Sequence, residues 1–208
     1  MKSIPYRLLE FMLLFIAIPI NMASSISIWI KLAICVSGFI YVIFVLLKIE
    51  KIQFRISKNL NWNVFWKQTV IKLIMIVIIT TIYMFFVDKE NLFVVILNKP
   101  LMWVILLFIY SFFSVYPQEL IYRTFFFERY QRLFSNHKLF IFVNAIVFSL
   151  AHIFFRNSLV ILLTFLGGLL FAITFYKTRS TLLVTIEHAI YGCWLFTVGM
   201  GNMLGFPS

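Results

Sequence analysis

Seven stretches of the chain are almost uninterrupted in apolar residues: roughly 8–24, 28–47, 70–87, 100–127, 139–155, 158–176 and 181–200. Each approaches the ~20 residues a helix needs to cross the hydrocarbon core of a bilayer. None alternates apolar with polar residues as a barrel strand does. Lipid offers a backbone no hydrogen bonds, so only helices and closed barrels span it. The pattern predicts an all-α polytopic membrane protein of about seven transmembrane helices. Three lie in an N-terminal transmembrane region at 1–99, and four in a core at 100–208. No internal repeat or low-complexity tract interrupts them.

Composition agrees. Of 208 residues, 63% are hydrophobic and 12% charged, with a mean hydropathy of +1.02, whereas a soluble domain is about a quarter charged. The net charge of +11 then reads as basic loops on the cytoplasmic side of a membrane, not as an affinity for nucleic acid. Thirteen Lys and Arg residues, among them Lys2, Arg55, Lys58, Lys72 and Arg129, fall on one side of the predicted spans. Lys31, Lys89, Lys99 and Arg156 fall on the other. This asymmetry predicts a cytoplasmic N-terminus and an external C-terminus, in an inner membrane if the host is bacterial. The loop at 48–69 carries Trp62 and Trp66 among its lysines and reads as an interfacial anchor. Cys35 and Cys193 lie in apolar runs and read as small buried hydrophobes. The first apolar run has no small-residue cleavage site and is followed by further spans, so no signal peptide is expected.

Against this background a few ionisable residues stand out inside predicted spans: Glu119, Arg123, His152, Glu187 and His188, with Glu10 near one end of the first span. A charge at a helix centre costs about 2.5–3.5 kcal/mol on insertion scales, so such residues face the bundle interior and pair. With Arg129 marking the cytoplasmic edge of the fourth span, Glu119 lies about 15 Å from that edge at 1.5 Å per residue. Counted from Lys138 and Arg179, His152 and His188 lie about 21 Å and about 14 Å up their own spans. Three helices thus bring a carboxylate and two imidazoles to similar depths. Glu119 and Arg123 are spaced i, i+4 and share a face, as do Phe148 with His152 and His188 with Gly192. Pro117, just before them, removes a backbone donor and weakens the helix there.

At these residues the chain resembles the CPBP family of intramembrane proteases, which includes the enzymes that trim prenylated CAAX proteins and the bacterial Abi proteins. The family pattern is Glu-Glu-x-x-x-Arg on one helix, Phe-x-x-x-His on the next and His-x-x-x-Asn two helices later. The matching stretches are "QELIYR" (118–123), "FSLAH" (148–152) and "HAIYG" (188–192). The resemblance covers about residues 100–200. There are two departures. The first glutamate of the pattern falls on Gln118, whose amide cannot act as a general base. The final asparagine falls on Gly192, which has no side-chain donor.

The resemblance implies an intramembrane endopeptidase acting on a peptide or membrane-protein substrate. Glu119, with His152, activates a water for attack on a peptide carbonyl; Arg123 orients Glu119, and His188 stabilises the oxyanion or binds a metal. Gln118 donates to the oxyanion or the substrate backbone. Phe148, Gly192 and Glu187 surround these groups, and Glu187 is a candidate to take over a lost role. Two histidines and a carboxylate (His152, His188 and Glu119) also make a plausible zinc set, so both a metal-free and a zinc-dependent mechanism follow. The two departures favour a different class, a non-catalytic scaffold or immunity protein of the same fold. A proton-coupled transporter, the third reading, calls for repeat halves and broken helices. By composition alone, Gly167, Gly168, Gly199 and Gly201 mark close helix contacts, and "TFFFERY" (124–130) reads as a lipid-facing interfacial run.

Overall fold

The computed structural model describes residue 1, residues 3–52 and residues 60–204. Lys2, Arg55, Lys58 and Ser208, which enter the charge-based orientation, and the middle of the 48–69 loop lie outside the described residues. The fold is 86% helical, with no strand among the described residues. That removes the barrel alternative and agrees with the apolar pattern.

Among the described residues, six helices are long and apolar enough to cross a membrane: Ile4–Met22, Ile28–Ile49, Trp62–Val87, Pro100–Leu133, His137–Phe155 and Ser158–Thr178. A seventh, Thr181–Thr197, has 17 residues. Their outward faces suit lipid: Trp29, Phe86, Leu101 and Phe113 are each about three-quarters exposed, a burden of bare apolar surface that water does not tolerate. The protein is an integral membrane protein.

The helix starts are set by side-chain caps that accept from the first free backbone N–H groups. Asn61 accepts from Val64 N at 3.1 Å. Asn136 accepts from Lys138 N and Leu139 N, Asn157 from Leu159 N and Val160 N, and Ser180 from Leu183 N. The cap at Asn61 starts the third helix eight residues before its apolar run, so Trp62, Trp66 and Lys67 are helical. Arg156 and Arg179 adopt left-handed φ values of 52° and 50°, which turn the chain directly into the caps at Asn157 and Ser180. At Arg179 this closes the sixth helix, with its N–H donating to Phe175 O at 2.7 Å.

The fourth helix is irregular. It passes through π-helical turns at Tyr110–Val115 and Leu120–Phe125, with one α-turn, Tyr116–Glu119, between them. Pro117 sits in that α-turn. Pro117 has no backbone N–H to donate, and π-turns of this kind cluster at functional sites. The helix also runs on to Leu133, past the edge expected at Arg129. Glu119 therefore lies about 21 Å from that helix end, at the same height as His152 above the start of the fifth helix.

The chain packs as two compact units. One comprises Met1–Arg55 and Gln118–Arg179, the other Ile56–Pro117 and Ser180–Ser208. The first has an aromatic core. Phe15 meets Tyr122, Phe126 and Tyr130 edge-on at 5.2–5.8 Å. Phe126 and Phe127 pack on Phe140, and Phe127 also on Phe175. Phe125, Phe126, Phe127 and Tyr130 are all buried. This corrects the lipid-facing reading of "TFFFERY": the rings fill gaps between helices, where edge-to-face pairs add to burial. In the second unit Tyr110, Val115 and Phe196 form a core joined by Leu107, Ala189 and Cys193. Trp103 donates to Thr197 Oγ1 at 3.0 Å and Trp194 to Thr80 Oγ1 at 2.9 Å.

Candidate active site

Glu119 ends the α-turn between the two π-turns, and Arg123 follows one turn later. Both side chains are fully buried, with Arg123 Nε 3.4 Å from Glu119 Oε2. The guanidinium is held from several sides. Its Nη1 donates to Asn144 Oδ1 at 2.9 Å and lies 3.3 Å from Tyr122 O. The Asn144 amide in turn donates to Tyr122 O at 2.6 Å. The ring of Phe148 lies 4.7 Å from the guanidinium carbon and that of Phe171 at 5.8 Å, both within cation–π range. A planar, delocalised cation suits such a cradle of amide and ring faces better than an ammonium does.

Phe148 carries the cradle on to His152, their rings 5.0 Å apart. The α-helical part of the fifth helix stops at Leu150. His152 follows it at φ −99° and ψ 5°, in the sparsely populated bridge region where active-site residues recur. Its Nδ1 is 2.8 Å from Phe148 O. A carbonyl can only accept, so Nδ1 carries the hydrogen and Nε2 is the basic nitrogen of the neutral ring. Glu119, Arg123, Phe148 and His152 thus form one continuous chain of contacts within the first unit. Gln118, half-buried, precedes Glu119.

Asn144 is the residue the sequence reading missed. It stands four residues before Phe148 and eight before His152, so one helical face carries all three. That spacing was the available signal. The packing that seats the face runs through Gly168. A side-chain carbon at Gly168 would come within 3.1 Å of Ala145 Cα and 3.2 Å of Phe148. The expected close contact is there, and it fixes the Phe148 ring.

Glu187, His188 and Gly192 belong to the second unit. Glu187 is fully buried and paired with Lys72. The Tyr191 hydroxyl lies 2.9 Å from Glu187 Oε1 and 3.1 Å from Thr69 O, and its single proton serves one acceptor at a time. Lys72, counted above among the loop cations, stands inside the third helix; a buried carboxylate opposite explains why a lysine is tolerated there. Glu187 is therefore spoken for by a local ion pair. His188 is buried, and the Tyr110 ring meets it nearly perpendicularly at 6.1 Å. Gly192 faces Tyr110 so closely that the phenol hydroxyl occupies the place of a side-chain carbon.

Arg129 corrects a second charge assignment. It is no loop residue but is fully buried, donating from Nε to Glu10 Oε2 and from Nη1 to Glu50 Oε1, both at 2.7 Å. Among the described residues no three His, Cys, Asp or Glu side chains gather as a metal-binding group, and the Glu119 carboxylate already faces a guanidinium.

Residues 100–194 match the family model described as Type II CAAX prenyl endopeptidase Rce1-like. The match takes in all three motifs and leaves the first three helices outside. No curated protein and no solved structure matches the chain.

Proposed function

From the premise that residues 100–194 place this chain in the CPBP family, we propose that it is an intramembrane endopeptidase of the CAAX-protease type that activates water with Glu119 and His152. The observation that carries this reading is the Arg123 cradle. A fully buried carboxylate is held against a cation that Asn144, Tyr122 O and two aromatic faces keep in place. An orienting shell of this kind is what a positioned base requires.

In this reading Glu119 takes a proton from water, and the hydroxide oxygen bonds to the carbonyl carbon as the carbonyl π-electrons move to oxygen. His152, through Nε2, shuttles the proton to the departing amine as the C–N bond breaks. Gln118 has N–H groups but no basic oxygen, so its part is to hold the substrate backbone or the oxyanion. No step runs through a metal.

The test is single-turnover cleavage of a reporter peptide by purified protein in proteoliposomes. Glu119→Gln keeps shape and hydrogen bonding but removes the base, so the rate falls about 10²–10⁴-fold while the melting temperature holds. Gln118→Glu retains or raises activity. Loss of cleavage on chelation, restored by zinc, would replace the water-activating pair with a metal. Wild-type cleavage by Glu119→Gln would remove Glu119 as the base; no cleavage by the native protein would leave the scaffold reading, which Gln118 favours.

A further inference from the structure

The fifth helix changes its hydrogen-bond spacing just before His152. In an unbroken α-helix the His152 N–H would donate four residues back, to Phe148 O. The Ala151 N–H still does so, reaching Val147 O at 3.2 Å, but the His152 N–H donates to Ser149 O at 2.9 Å. The Phe148 carbonyl is thereby given up by the His152 backbone and taken by the His152 ring, whose Nδ1 lies 2.8 Å away. One carbonyl exchanges the amide of residue 152 for the imidazole of the same residue.

Ser149 accounts for where the exchange occurs. Inside a helix a serine or threonine hydroxyl often donates back to the carbonyl four residues earlier. Thr164 on the sixth helix does this, with Oγ1 2.7 Å from Val160 O. The Ser149 hydroxyl instead crosses between helices and donates to Ile161 O at 2.7 Å. Ser149 is buried, and alanine there would favour the helix without placing a hydroxyl in a low-dielectric interior. The cross-helix bond is the reason for a serine. It anchors, against the sixth helix, the residue whose own carbonyl receives the His152 N–H.

We propose that Ser149 is a positioning residue for His152: by tying the last turn of the fifth helix to the sixth, it holds the backbone exchange that puts the imidazole hydrogen on Nδ1 and leaves Nε2 basic. This rests on the endopeptidase reading above, in which Nε2 carries the proton. The hydrogen bond made by one ring nitrogen sets the state of the other. Losing the tie therefore costs the correct tautomer and leaves the histidine in place.

Nitrogen NMR of protein isotope-labelled at histidine, in bilayers and at an alkaline pH where imidazole is neutral, reads which ring nitrogen carries the hydrogen. His152→Gln identifies the His152 signal among the three histidines. The native protein should show His152 with hydrogen on Nδ1. In Ser149→Ala part of the population should move to Nε2, and kcat should fall about tenfold, the worth of one hydrogen bond, while KM stays at the native value. Ser149→Thr keeps the hydroxyl and should restore both. Should alanine not fold there, Ser149→Cys, a weak donor, is read in the same way. A serine that merely fills space would leave the tautomer alone. Hydrogen on Nε2 in the native protein, or an unchanged Nδ1 signal in Ser149→Ala, overturns the role of Ser149 but not the protease. A shifted tautomer with native kcat overturns the use of that tautomer in catalysis. The expected shift in a native protein that cleaves nothing overturns the protease reading, and with it the purpose assigned to Ser149.

Discussion

Two arginines on the fourth helix, Arg123 and Arg129, are equally buried yet differently employed. Arg129 is surrounded by acceptors from distant parts of the chain. Its nitrogens reach Glu10, Glu50 and the Met1 carbonyl, and Arg7 donates to its own carbonyl. Tyr130 and Tyr41 close in on the same Glu10. Arg123 faces a carboxylate of its own helix and is braced by an amide, a carbonyl and two rings. The first arrangement neutralises a cation with two anions and ties the first two helices to the fourth. The second spends neutral groups on fixing the cation and so presents one carboxylate in a set direction. Charge burial alone therefore does not mark an active site; what the partners are, and which elements they come from, separates a clamp from an orienting shell.

The contrast breaks most sharply at Arg129. Arg129→Ala leaves Glu10 and Glu50 without their shared cation, and breaking a buried pair costs about 3–5 kcal/mol. Thermal unfolding of the purified protein should show that loss, while the fraction still folded cleaves at the native rate per molecule. A selective loss of turnover with unchanged stability would reverse the assignment.

Arg123→Lys is the sharper probe of the other site. It retains the charge but forfeits the fork that reaches Asn144, and a hydrogen bond to a charged group is worth about 1.5–3 kcal/mol. The loss should appear in the cleavage rate more than in the melting temperature. Native turnover by this lysine variant would show that charge alone, without orientation, suffices.

The smallest effect is expected at Gly168. Gly168→Ala presses a methyl group on Ala145 and Phe148. Overpacking costs about 1–3 kcal/mol, offset by about 1 kcal/mol of helix propensity. Because Phe148 lies over Arg123 and not over Arg129, cleavage should fall by more than the stability change explains. Equal effects on both would mean that the ring merely fills space.

The sequence by itself determined the membrane-spanning helices, because continuous apolar runs of bilayer length admit no other backbone that satisfies its own hydrogen bonds. It also determined the pairing of Glu119 with Arg123 and the contact of Phe148 with His152, since residues four apart on a helix share a face. Only the tertiary structure decided what reached those faces from elsewhere. Asn144 closing on Arg123, Lys72 on Glu187 and Glu10 on Arg129 join positions 21, 115 and 119 residues apart. Such pairings depend on how helices pack, which local periodicity does not encode. The same holds for "TFFFERY", where an aromatic run suits lipid and core equally until neighbouring helices cover it. It holds above all for Gly192, an empty position in the sequence that the fold fills with the hydroxyl of Tyr110.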